Sequence, residues 1–314
     1  MTVWRSIEDV DLGDRPSVVS IGNFDGVHLG HRHVLAHARA VADALPVSGA
    51  VVAVTFNPHP MRVIAPAKAP ATITSIPQRV DLLEQAGADH VLVLPFDKEM
   101  SQWAPDDFID RVIVRALNAT AVVVGENFRF GAKAAGDIAF LREQGVQKGF
   151  DVEGLALDGE TQPWSSTYVR GLIAEGEVAE AAHALGRFHS VDGIVVEGDK
   201  RGRELGFPTA NVPASSDFAV PADGVYAGWL QVEDGPVLPA AISVGTNPTF
   251  DGLDRRVESF VLDRDDLELY GSAVEAIFAG RVRGQVTFDG PDPLIEQMHR
   301  DVADVRRMLA DLER

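Results

Sequence analysis

Ser20-Ile21-Gly22-Asn23-Phe24-Asp25-Gly26-Val27-His28-Leu29-Gly30-His31-Arg32 is the stretch on which the reading of this chain turns. Val18–Ile21 is an apolar run of strand length. A glycine-punctuated loop follows. Beyond it Val34, Leu35, Ala38, Val41, Ala42 and Leu45 recur at the spacing of one helical face. His28 and His31 therefore fall where loop becomes helix, about one turn apart. A helix start exposes unpaired N–H groups and the positive end of the dipole, so it suits an anion. Two imidazoles beside such a start read as equipment for a phosphate.

Outward from this stretch, apolar runs alternate with helical patterns. Ala50–Phe56, Val91–Pro95, Ala121–Val124 and Val152–Leu157 read as strands, and Gln78–Ala86, Pro105–Leu117 and Asp137–Gln144 as helices. Such alternation predicts an α/β domain, a Rossmann-like parallel sheet with helices on both faces. Ligands of such sheets bind beyond the strand C-termini. Thr55-Phe56-Asn57-Pro58-His59-Pro60 reads as a proline-stiffened turn and takes no catalytic role. In Gly125-Glu126-Asn127-Phe128-Arg129-Phe130-Gly131 the phenylalanines suit packing or stacking, and Arg129 suits a phosphate or a surface acid. Trp164-Ser165-Ser166-Thr167-Tyr168-Val169-Arg170 has the hydroxyls of a capped helix start. With Arg170 one turn inside, hydroxyls, amides and a guanidinium converge on one anion.

His33 and His37 are four residues apart and would share a helix face, which raises zinc. No His-Glu-x-x-His pattern or third ligand accompanies them, so they are expected at the surface. Neither a Walker-type phosphate loop nor a Gly-x-Gly-x-x-Gly fingerprint occurs in the chain. If it binds nucleotides, it does so by another solution.

With 314 residues, 46% of them hydrophobic, the chain has room for two cores. The 28 basic and 47 acidic residues give a net charge of −19, a field that argues against nucleic acid as a partner. Cysteine is absent, which excludes disulfides, a thiolate nucleophile and Cys-based zinc sites. No run approaches the ~20 apolar residues of a membrane span, and the first residues lack a signal-peptide core, so a cytoplasmic protein is expected.

Val178–Leu185 is an Ala-rich helical segment, and the character changes after Gly186. Val191–Val196, Gly224–Val232, Leu238–Val244, Val257–Leu262 and Ala273–Val282 read as strands of a small all-β barrel. Pro293–Leu312 is expected to pack on it as a helix, with Leu294, Met298, Val302, Val305, Leu309 and Leu312 on one face. The expected domains are 1–186 and 187–314. Glu258 alternates with Val257 and so faces away from its apolar neighbours.

His28-Leu29-Gly30-His31 after a strand resembles the signature of the nucleotidylyltransferase superfamily. The longer string resembles the adenylyltransferase half of the bifunctional prokaryotic FAD synthetases, which join riboflavin kinase to FMN adenylyltransferase. The Ser165–Arg170 segment is similar to the superfamily's Ser-Ser-Thr-x-x-Arg element, which grips the ATP tail. Arg201-Gly202-Arg203-Glu204-Leu205-Gly206-Phe207-Pro208-Thr209-Ala210-Asn211 resembles the riboflavin kinase signature.

The resemblance implies two reactions: riboflavin and ATP give FMN and ADP, then FMN and ATP give FAD and pyrophosphate. It implies His28, His31 and Arg170 as catalytic groups of the first module, with Gly22, Asn23, Phe24, Asp25, Gly30, Asn127, Arg129, Ser165, Ser166 and Thr167 against nucleotide or flavin. In the second module it implies Glu258 as general base, Gly202, Gly206 and Pro208 as flap residues, and Thr209 and Asn211 as holders of nucleotide and Mg²⁺. A hydroxyl and a carboxamide oxygen are hard, neutral donors that suit that ion. Where family members often carry His, this chain has Phe260. The rival readings are one working module beside a flavin-binding regulatory module, and a non-catalytic flavin sensor. The implied partners are small molecules, with no nucleic acid and no membrane; the oligomeric state is left open.

Overall fold

The computed structural model describes residues 1–156, 159, 164–197, 207–233, 235–249, 252–264, 266–310 and 312. Gly202 and Gly206, with the rest of Arg201–Gly206, lie outside the described residues, as does Leu157. The chain forms two compact units, Met1–Ser166 and Thr167–Arg314. Among the described residues no helix is long and apolar enough to cross a membrane.

The first unit contains β1 (Thr2–Trp4), β2 (Ser17–Ile21), α1 (Leu29–Ala44), β3 (Ala50–Asn57), α2 (Pro60–Ile64), α3 (Ile76–Gln85), β4 (His90–Pro95), α4 (Pro105–Phe108), β5 (Ala119–Gly125), α5 (Ile138–Lys148) and β6 (Asp151–Leu155). Its six strands lie in the order β1-β4-β3-β2-β5-β6, every pair parallel. The chain moves outward from β2 through β3 to β4, then returns to place β5 on the other side of β2. The order thus reverses between β2 and β5, and the crevice beyond their C-terminal ends is where open α/β sheets bind ligands. The Gly22–His28 loop leaves one of these strands and the loop starting at Gly125 leaves the other.

Both faces of the inner strands are covered, which is why β2 to β5 are mostly apolar, whereas the edge strand β6 carries Asp151 and Glu153. Val19, Ile21, Val52 and Val54 pack with Ile109, Val112 and Ile113. Val18, Val51 and Ala53 pack on the other face with Leu35, Ala38 and Ala42 of α1 and with Leu83 of α3. Val and Leu side chains buried this fully are worth about 1.5–3 kcal/mol each. Two details differ from the expected pattern. The short strand β1 adds to the sheet edge, and after α4 the expected helix continues as a π-helix over Ile109–Ala116.

The second unit contains α6 (Ser166–Glu175, starting at the last residue of the first unit), α7 (Val178–Leu185), β7 (His189–Ile194), β8 (Ala210–Pro213), β9 (Gly224–Val232), β10 (Val237–Thr249), β11 (Gly252–Val261), β12 (Ala273–Gly284) and α8 (Pro291–Ala310). Six antiparallel strands in the order β7-β12-β9-β10-β11-β8 curl into a nearly closed barrel, and a bridge between Val196 and Asn211 draws the two edges together. Val191, Val212, Tyr226, Ile242, Val257 and Phe278 fill its interior together with Val178 of α7. On the outside, α8 seats Val305 against Ala227 and Leu262. Its face is less uniform than the sequence suggests: Leu312 is exposed, and the buried Asp301 sits among the apolar positions.

Candidate functional site

In the first unit the loop after β2 is gripped from several sides. Asp25 is fully buried, and its carboxylate accepts from the Ile73 amide at 2.9 and 3.1 Å and the Thr74 amide at 3.2 Å. The Arg79 guanidinium pairs with it at 3.3 Å. Thr55 donates its hydroxyl to the Asn23 carbonyl at 2.9 Å, while the Asn23 side chain is exposed.

At the end of this loop His28 occupies the N-cap of α1, and its ring stacks on that of His31 with centroids 3.7 Å apart. Phe24, buried in the core, meets His31 edge-on at 5.1 Å. Gly30 leaves room for this stack: a Cβ there would lie 3.2 Å from His28 Nδ1 and 3.5 Å from the Trp164 carbonyl. The Ser166 hydroxyl, at the end of the first unit, donates to the Asp25 carbonyl at 2.8 Å. Paired imidazoles, the N-terminus of α1 and the Ser166 hydroxyl thus meet on one loop, and groups of these kinds are able to hold an anion.

The remaining candidates are placed as follows. Ser165 is half-buried and Thr167 exposed; Arg170 is half-buried on α6, in the second unit. Asn127 and Arg129 are exposed on the loop after β5, and Arg129 lies 3.4 Å from Asp137. Phe128 and Phe130 stack on one another and pack on the core. His59 accepts the Met61 amide and caps α2. His33 is exposed as expected. His37 is half-buried, its Nε2 2.5 Å from Glu153 Oε2 of β6, because the face of α1 that carries it lies over that edge of the sheet.

In the second unit a cleft of about 970 Å³ has the outer faces of β8, β10 and β11 along one wall and Leu294, Met298 and Val302 of α8 on another. Glu258 on β11 lies directly opposite Asn211 of β8 on one side and Ser243 of β10 on the other. Direct antiparallel partners share a face, and all three residues line the cleft. Val257, one residue away, points into the barrel core. The Asn211 amide nitrogen donates to the Thr209 carbonyl at 3.1 Å and its Oγ1 at 3.2 Å, which leaves the carboxamide oxygen and the hydroxyl as neutral donors for a ligand. Pro208 lines the same cleft. Phe260 meets Phe207 edge-on at 5.1 Å.

Three groups in these centres have no local sequence signal. Arg79, Arg283 and Asp301 are ordinary charged helix or strand residues by pattern. Arg283 and Asp301 form a two-pronged ion pair at 2.9 and 2.6 Å at the edge of the cleft, joined by Gln297 at 2.8 Å.

Two family profiles together match most of the chain: FAD synthetase over residues 11–168 and riboflavin kinase over residues 185–309. The bifunctional riboflavin kinase/FMN adenylyltransferase of Escherichia coli (strain K12) is 34% identical over 306 residues, covering 96% of each chain. That of Bacillus subtilis (strain 168) is 33% identical over 310 residues, 95% of this chain and 94% of the other. Among solved structures, one described as a macrolide-efflux protein from Streptococcus pneumoniae superposes with a TM-score of 0.85 at 30% identity, over 97% of this chain and 98% of that one.

Proposed function

The chain belongs to the bifunctional riboflavin kinase/FMN adenylyltransferase family, whose two activities make FMN and FAD, and on that premise we propose how its residues divide the work. Phosphoryl transfer to riboflavin takes place in the cleft of the barrel, and adenylyl transfer to FMN at the paired imidazoles of the parallel-sheet unit. The functional boundary is placed at residue 186. Its substrates are ATP, riboflavin and FMN, and the cytoplasm is where it works on them.

In the cleft Glu258 removes the proton from the 5′-hydroxyl of riboflavin as that oxygen attacks the terminal phosphorus of ATP and ADP departs with the bridging oxygen. General base catalysis of this kind is typically worth about 10²–10⁴-fold, with positioning and electrostatics supplying most of the rest. The residues beside it fit Mg²⁺: Thr209 Oγ1 and the Asn211 carboxamide oxygen are hard and uncharged, as suits an ion that also binds phosphates. Mg²⁺ held there would offset the charge of the transferred phosphoryl group.

Adenylyl transfer needs no base, because the phosphate of FMN is already ionised at neutral pH. His28, His31, the N-terminus of α1 and Arg170 stabilise the charge that develops on the α-phosphate and pyrophosphate of ATP. Ser165, Ser166 and Thr167 offer hydroxyls and amides to the same group. Asn23, Gly22, Asn127 and Arg129 lie on the loops that leave β2 and β5, and they contact nucleotide or flavin. Phe24 and Asp25, both buried, serve by shaping the loop.

The observation that carries this reading is the sheet register that sets Glu258 between Asn211 and Ser243 on the cleft wall. It is tested by incubating the purified protein with riboflavin and Mg-ATP and separating the flavins. FMN is expected first and FAD after it; FMN with no FAD would remove the adenylyl-transfer module, and neither product would remove the kinase.

A further inference from the structure

Arg79 takes no part in the chemistry above, yet its side chain is 3% exposed and that of its ion partner Asp25 0%. The loop they hold is conformationally costly. Phe24 has φ +48° and Val27 φ +40°, values that L-residues avoid and that a β-branched valine tolerates worst. Such backbone persists only where its surroundings over-determine it.

Here the surroundings are two relays, each with its protons running one way. Arg79 Nη1 donates to Thr55 Oγ1 at 3.3 Å, and that hydroxyl donates to the Asn23 carbonyl. The Gly26 amide donates to Thr74 Oγ1 at 3.1 Å, and that hydroxyl leans on Asp25 Oδ1 at 3.4 Å. Arg79 Nη2 closes the ring by donating to Asp25 Oδ1 and to the Thr74 carbonyl, both at 3.3 Å. Asn23, Asp25 and Gly26 are thus all tied to one guanidinium or to its partners. Between them Phe24 is pressed against His31, and the strained Val27 leads directly into His28.

We propose that the Asp25–Arg79 pair is the clamp that fixes the phosphate loop for adenylyl transfer, with Arg79 a positioning residue that acts through Asp25 on His28 and His31. This rests on the reading of the paired imidazoles as the adenylyl-transfer site. Displacements of about 1 Å in such a site cost on the order of 10²-fold in rate. A clamp of this kind acts on turnover through His28 and His31; Gly22 and Asn23 touch substrates from the same loop, so binding weakens by a smaller factor than turnover.

The test compares three full-length variants with the unaltered protein: Asp25→Asn combined with Arg79→Met, Arg79→Lys alone, and His28→Ala. The double variant removes both buried charges at once, so that neither is left stranded. Its kcat for FMN adenylylation is expected to fall about 100-fold, with KM for FMN and ATP rising by a much smaller factor. Riboflavin phosphorylation should be unchanged. Arg79→Lys keeps the charge without the fork and should give an intermediate kcat; it carries the test if the double variant does not fold. Unchanged kcat in a folded variant, a loss confined to KM, or a parallel loss of kinase activity would overturn the proposal. Slow adenylylation in His28→Ala beside normal kcat in the clamp variants overturns the clamp alone. Normal adenylylation in His28→Ala overturns the site reading and the clamp with it.

Discussion

Glu258 and Asn211 are direct cross-strand partners on β11 and β8. In an antiparallel pair such residues project from one face, their Cβ atoms about 4.5–5.5 Å apart. A carboxylate suited to take a proton and a neutral oxygen suited to a cation are therefore spaced by strand register. Slipping β11 by one residue would turn Glu258 into the apolar barrel and Val257 out of it, so the burial pattern that folds the barrel also fixes the site.

Glu258→Gln keeps the shape and hydrogen-bonding reach of the side chain and removes its basicity. Riboflavin phosphorylation is expected to drop about 10²–10⁴-fold. Adenylylation of supplied FMN should stay within a factor of two. Initial rates of both reactions on the same preparation check this, and an equal fall in the two would mean the sites are not separate.

Gly30→Ala places a Cβ about 3.2 Å from His28 Nδ1 and 3.3 Å from Cε1, and the ring must shift to accommodate it. FAD formation from FMN should slow by roughly 10–10²-fold, the scale of sub-ångström to 1 Å misplacement. Kinase activity should be unaffected. An unchanged adenylylation rate would show that the imidazole stack is not part of the working geometry.

Asp301→Ala removes the ion partner of the Arg283 guanidinium at the edge of the cleft and leaves it the Gly284 carbonyl; the Arg283 side chain is 20% exposed and that of Asp301 6%. Breaking a buried pair from one side costs about 3–5 kcal/mol. Arg283→Met combined with Asp301→Leu should cost far less. Urea unfolding of the full chain distinguishes them, and a loss below about 1 kcal/mol for the single variant would count against a buried, structural pair.

His90 stacks on Trp4 at 4.7 Å, and burial holds its pKa below the ordinary 6.5; Asp89 opposes the shift, and Arg15 and the N-terminus add to it. Below about pH 6.5 the unfolded chain therefore takes up a proton that the folded chain does not, and folding stability falls as the pH drops. His90→Gln should be less sensitive to acid between pH 6.5 and 5 than the unaltered protein. Parallel curves of thermal midpoint against pH for the two would refute it.

The parallel sheet was readable because strands covered on both faces are mostly apolar, and α1 was readable from its regular stripe. The outward turn of Glu258 followed from strand alternation alone. β8 was not visible: Ala210–Pro213 is a four-residue strand with Pro208 just before it and Pro213 at its end, and it exists by pairing with β11. The far ends of β10 and β11 were hidden by Asn247, Pro248 and Gly252, residues that ordinarily mark turns. Burial of Arg79 depends on Asp25, 54 residues away, and the half-burial of His37 on Glu153, 116 residues away. Both look like solvent-facing residues when only their own helices are considered.

Mixing two crippled proteins tests the central claim most directly. Given riboflavin and Mg-ATP for a time in which the unaltered protein completes both steps, Glu258→Gln alone should leave most riboflavin unconverted, and His28→Ala alone should accumulate FMN. Combined in one tube they should produce FAD, because FMN made by one can be adenylylated by the other. Failure of the mixture to make FAD, while Glu258→Gln still converts supplied FMN, would contradict two self-sufficient centres linked by a free intermediate.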